Sequence, residues 1–112
     1  MNPIKQPKFK IGQKVKTPRT LYGEFEGTII KFQRVFKSID STLCIEESTI
    51  KSIQLPHTFD GETLTVNYPE QDFGDFIYKA RTQVSKFYGY SYTVRSAKML
   101  TTFSERSLKL IS

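Results

Sequence analysis

The run Glu24-Phe25-Glu26-Gly27-Thr28-Ile29-Ile30-Lys31-Phe32 leaves this chain little local choice. β-Branched and aromatic residues fill it, and such side chains fit a pleated, half-buried surface. A glycine within a strand weakens it, so Gly27 marks a bulge or sharp bend of the kind a small barrel needs where a strand turns a corner. A chain organised around this segment is expected to be mainly β.

The flanking residues supply partners. Residues 1–8, with Pro3 and Pro7 among lysines, read as a flexible basic arm. Ile11 to Thr17 reads as a turn and a short strand, Val15 inward and Lys14 and Lys16 outward, stopped by Pro18. Thr42–Ile45 and Thr49–Leu55 are strand-like in composition. Asp60-Gly61 is a hairpin signal ahead of the cleanly alternating Thr63–Tyr68. Tyr90–Arg95 and Met99–Phe103 are two further strands. Ser104-Glu105-Arg106-Ser107 has the chemistry of a short helical turn, and Leu108, Leu110 and Ile111 form a closing strand.

Pro69–Phe87 fits an amphipathic helix. Phe73, Phe76, Ile77, Ala80, Val84 and Phe87 fall at helical spacing, Asp72 is placed to cap the start, and Gly89 suits the stop. Gly74 and Thr82 are poor helix formers and keep a strand reading open for the same segment.

Charge is segregated. Residues 1–37 hold nine Lys/Arg against Glu24 and Glu26, residues 38–78 hold Lys51 against eight acids, and residues 79–112 hold seven Lys/Arg against Glu105. Two basic ends that meet in one body would carry about +13 by this count, a field that attracts polyanions such as RNA or DNA. An acidic protein surface is the other partner such a field suits.

With the strands in place, the chain resembles the KOW/Tudor-type SH3-like β-barrel modules. Gly12-Gln13-Lys14-Val15, a loop, and Gly23 to Phe32 are similar to the barrel opening. Tyr92-Thr93-Val94-Arg95, Leu100-Thr101-Thr102-Phe103 and Ser104 to Leu108 are similar to its strand, strand, helical turn and closing hydrophobe. The likeness covers residues 9–33 and 88–111. It departs from the family in about fifty extra residues, 34–87, where simple barrels have a short hairpin. The expectation is a single domain: a five-stranded SH3-like barrel with an inserted β-hairpin plus α-helix. The family implies nucleic-acid or peptide binding, or docking as a subunit on a larger complex.

The candidate nucleic-acid-binding residues are Lys8, Lys10, Lys14, Lys16, Arg19, Tyr22, Phe25, Lys31, Tyr90, Arg95, Lys98 and Arg106. Aromatics among cations stack on bases while the cations hold phosphates, although Tyr22, Phe25 and Tyr92 suit core packing as well. The alternative partner-binding set is Phe73, Phe76 and Ile77, on the expected helix. Nothing points to an enzyme, a cofactor, a metal or a small-molecule substrate. One histidine (His57), one cysteine (Cys44) and scattered acids give no ligand spacing, and no Gly-rich loop ends in Lys-Ser/Thr. Cys44, inside Leu43-Cys44-Ile45, reads as a buried and inert thiol, and a single thiol suits a reducing compartment. No apolar run approaches the ~20 residues of a membrane span, so the expected location is cytoplasmic.

Overall fold

The computed structural model describes residues 6–19, 23–97 and 99–111. Its elements, in chain order, are β1 (Lys14–Lys16), β2 (Glu26–Ser38), β3 (Cys44–Glu46), a single helical turn α1 (Glu47–Ile50), β4 (His57–Phe59), β5 (Thr63–Tyr68), β6 (Gln71–Asp72), β7 (Ile77–Tyr78), β8 (Arg81–Arg95), β9 (Leu100–Ser104), a 3-10 turn (Glu105–Ser107) and β10 (Lys109–Leu110). The protein is mainly β. Among the described residues no helix is long and apolar enough to cross a membrane. The chain divides into two compact units, Met1–Arg34 with Gly89–Ser112, and Val35–Tyr88. The long strands β2 and β8 contribute residues to each.

The first unit joins the two ends of the chain. β1 lies antiparallel between β2 and β10, with Val15 opposite Gly27 on one side and Leu110 on the other. β2 neighbours β8, and β8 pairs with β9 from Ser91↔Ser104 to Arg95↔Leu100. The strand order is therefore β10-β1-β2-β8-β9. Phe9, Val15, Ile29, Tyr92, Val94 and Leu108 are the buried core, and Phe25, Phe32, Tyr90 and Phe103 pack around it. Full burial of each such side chain is worth roughly 1.5–3 kcal/mol. Gly27 is required here: a Cβ at this position would lie 2.8 Å from the carbonyl oxygen of Arg95 and closer still to Val94 Cγ1. Burial changes parity along β2, from Gly27 and Ile29 to Phe36 and Ser38, as happens when a strand bends or bulges.

At the head of this unit the buried Tyr92 hydroxyl accepts the backbone N–H of Lys8 at 2.9 Å and of Phe9 at 3.4 Å, and donates to Glu105 Oε2 at 2.5 Å. Lys8 N–H also reaches Glu105 Oε2 at 3.1 Å. Burial, then the Glu105 hydrogen bond, pushes the Tyr92 hydroxyl well above the usual phenol range. Of the expected basic arm, residues 1–5 lie outside the described residues, and by Lys8 the backbone is tied down.

The second unit has its own core of Phe36, Ile50, Leu64 and Val66, with Ile45, Ile53, Leu55, Phe59, Tyr68 and Phe87 packed against it. β3 pairs with β2 through Phe36↔Ile45, β4 with β5 through Thr58↔Thr65, and β5 with β8 over six residues, Thr63↔Lys86 to Tyr68↔Arg81. The β4–β5 hairpin turns at Asp60-Gly61, whose Asp60 carboxylate accepts the N–H groups of Glu62 and Thr63 at 2.9 and 2.7 Å. Thr49–Leu55, strand-like in composition, instead runs from α1 into a loop.

The helix expected over Pro69–Phe87 is not formed; the inserted segment holds β3, the single turn α1 and two β-hairpins, β4–β5 and β6–β7. β6 and β7 make a two-stranded hairpin, and β8 follows. Gly74 sits at φ +87°, a conformation that breaks a right-handed helix and that glycine adopts freely. Its N–H is held by Asp72 Oδ1 at 2.8 Å, so the expected helix cap serves a β-turn. The six-residue ladder to β5 then fixes 81–86 as strand.

Candidate functional site

The basic residues singled out by sequence all belong to the first unit by chain position. Its two segments contain twelve Lys/Arg and three Glu, a formal charge of +9, while Val35–Tyr88 contains five Lys/Arg and eight acids, a formal −3. The +13 of the sequence count falls to +9 because Lys37, Lys79, Arg81 and Lys86 belong to the second unit.

β1 presents Lys14 and Lys16 outward because Val15 between them points into the core. Antiparallel pairing sets Lys14 opposite Thr28, and Lys16 between Glu26 and Lys109. The Lys16 ammonium also lies 3.4 Å from Glu24, with both side chains half exposed, so this ion pair is solvent-screened and weak. Lys14, Glu26, Gly27, Thr28, Arg95, Ser96 and Ala97 line an open groove of about 460 Å3. Lys14 and Arg95, both exposed, flank it. Such a groove suits a phosphate chain, with two cations and a threonine hydroxyl in its lining. Glu26 is the one carboxylate in its lining.

Lys8, Lys10, Arg19, Lys31 and Arg106 are exposed elsewhere on this unit, outside the groove lining. Tyr22 and Lys98 lie outside the described residues. Lys109 was not singled out from sequence, yet it stands directly beside Lys16 across the β1–β10 pair. The alternation Leu108-Lys109-Leu110 carried that signal.

The aromatic members are committed to packing. Phe25 is half-buried against Phe103 at 6.2 Å, and Tyr90 is half-buried between Phe32 at 5.8 Å and Tyr92 at 6.4 Å. Each ring therefore has aromatic neighbours that compete with a base for it. Tyr92 is fully buried. Tyr88, in the second unit, is more exposed, with Lys37 Nζ 5.0 Å from its ring centroid.

Phe73, Phe76 and Ile77 lie on the β6–β7 hairpin rather than on a helix, and with Tyr78 they are 55–58% exposed. Cys44 is exposed, against the expectation of a buried thiol, because its edge strand β3 pairs only with β2 and turns Ile45 inward instead. His57 Nδ1 is 2.8 Å from the Leu55 carbonyl oxygen. Among the described residues no group of three His, Cys, Asp or Glu is placed to hold a metal ion.

Comparison of the chain with family models, with curated proteins and with solved structures gave no match. The site therefore rests on its own chemistry.

Proposed function

We propose that this protein is a small, non-catalytic, nucleic-acid-associated binding module of the SH3-like type, acting in the cytoplasm and holding the phosphate backbone against its basic first unit. The carrying observation is the pooling of charge: two segments far apart in sequence form one body with twelve cations and three acids. The strand order β10-β1-β2-β8-β9, with a 3-10 turn before the last strand, supports the family reading. Since Phe25 and Tyr90 are spent on packing, affinity comes chiefly from phosphate contacts, and sequence preference should be slight.

Fluorescence anisotropy with labelled 20-nucleotide RNA, single-stranded DNA and duplex DNA tests this. A site making four to five phosphate contacts should lose about 10²-fold in affinity between 50 and 200 mM salt. Replacing Lys14 and Arg95 together by Glu should weaken binding at least tenfold. Absence of binding at 50 mM salt ends the reading.

A second reading, a subunit that docks on protein through Phe73, Phe76 and Ile77, is favoured by the exposure of those side chains.

A further inference from the structure

The β6–β7 hairpin gathers large exposed apolar side chains in one short segment. Every residue from Gln71 to Ala80 is exposed. Phe73, Phe76, Ile77 and Tyr78 are each more than half open, and the rings of Phe73, Phe76 and Tyr78 touch one another at 5.5–6.1 Å between centroids. The hairpin forms a two-stranded sheet of its own, outside the main ladder. A two-stranded hairpin is marginal in water without a surface to pack on, and a clustered apolar patch of this kind usually marks an interface.

We propose that the occupant is a second copy of this chain, related by a two-fold axis, with the hairpin tip of each copy seated at the hairpin base of the other. The base holds a hollow of about 650 Å3 with mostly apolar walls, lined by Leu55, Tyr68, Pro69, Phe73 and Tyr78 together with Gln71, Lys79 and Arg81. Arg81 is fixed there by lying 4.6 Å over the Tyr68 ring. The tip carries Phe76 between the carboxylate of Asp75 and Ile77, with Asp72 beside the turn. One short segment of one chain therefore carries an apolar, acidic tip at Asp75 and Phe76 and an apolar, cationic base at Lys79 and Arg81. That is the self-complementarity a two-fold contact needs, since each element meets its opposite twice. Glu70 is exposed beside this segment and is not part of the hollow's lining.

Four large side chains more than half exposed offer on the order of 300–550 Å2 per copy. The dimer would bury roughly 600–1,100 Å2 in total, below the standard size of stable specific contacts, so weak and reversible association is expected. The inference rests on the hairpin alone and not on polyanion binding.

Sedimentation equilibrium of the full chain from 5 to 500 µM, without nucleic acid, tests it. The expected result is a closed monomer–dimer equilibrium, weakened at least tenfold by Phe76→Ser with Ile77→Ser. Both side chains are exposed, so an unchanged circular dichroism melt controls for folding. Asp75→Lys alone should weaken the dimer, and adding Lys79→Asp should restore it by exchanging the charges. A monomer at every concentration assigns the hairpin to a different protein and overturns the proposal. So does association that ignores the Phe76/Ile77 pair, or open-ended growth beyond the dimer.

Discussion

Replacing Gly27 by Ala should destabilise the protein, although the same change in an ordinary strand stabilises it. Alanine gains roughly 0.5–1 kcal/mol over glycine in a strand, because glycine loses more freedom on folding. At Gly27 the added methyl would stand 2.8 Å from Arg95 O and nearer still to Val94 Cγ1. Ordinary carbon contacts begin at about 3.5 Å. Val94 is fully buried and β-branched, with few rotamers open to it, and the second contact is backbone. Neither can yield without moving β2 or β8. Overpacking of this kind costs about 1–3 kcal/mol, which outweighs the entropic gain and leaves a net loss of about 1–2 kcal/mol. That corresponds to a melting point lower by roughly 5–15 °C. The chain has no Trp, so far-UV circular dichroism is the assay. Gly89→Ala is the control: a Cβ there meets nothing within 4 Å, so the variant should match or slightly exceed the wild type. In a double-mutant cycle, Val94→Ala should couple favourably with Gly27→Ala by at least ~0.5 kcal/mol. A Gly27→Ala protein as stable as the wild type would refute the close approach of β2 and β8 in the first unit.

Two further predictions follow from hydrogen bonds to single side-chain atoms. Tyr92→Phe removes the side-chain acceptor of Phe9 N–H, one of the two acceptors of Lys8 N–H and the donor to Glu105, and should cost about 1–2 kcal/mol at pH 7. Because the folded state holds the hydroxyl protonated, its contribution is complete below the free phenol value of about 10 and is lost as pH rises above it. Melts from pH 8 to 11.5 should show the gap between wild type and Tyr92→Phe closing, and a constant gap would contradict the clasp. At Asp60, backbone N–H groups, Thr63 first and then Glu62, hold the carboxyl below its ordinary value. The stability it contributes is present above about pH 4 and disappears as pH falls through that lowered value. Wild type should exceed Asp60→Asn at pH 7, and the gap should narrow as pH falls below about 4 in urea titrations.

The sequence was legible wherever the deciding physics was local. Val15 between two outward lysines, the Asp60-Gly61 turn and the alternation of Thr63–Tyr68 all depend on neighbours within a few residues, and each is present as read. The segment 69–87 was misread because its helical spacing arose by superposition. Phe73 and Phe76 flank a turn, Ile77 sits on β7, and Val84 and Phe87 lie on β8. Three of these side chains face solvent, so the stripe had no core to serve. The ladder from β5 to β8 decides that segment, and pairing across such a distance leaves no local trace. The cations of the candidate groove were visible individually, whereas the company they keep was not. Phe25 and Tyr90 suited stacking on bases in the sequence, and packing partners claimed both.

β1 has its last neighbour, β10, about 95 residues further along the chain. A ribosome adding ~5–20 residues each second leaves Val15 waiting roughly 5–20 s for Leu110. Within that interval the whole of Val35–Tyr88 is made, while β1 still lacks its second neighbour. The lysines of β1 therefore leave the ribosome well before the sheet that will hold them is complete.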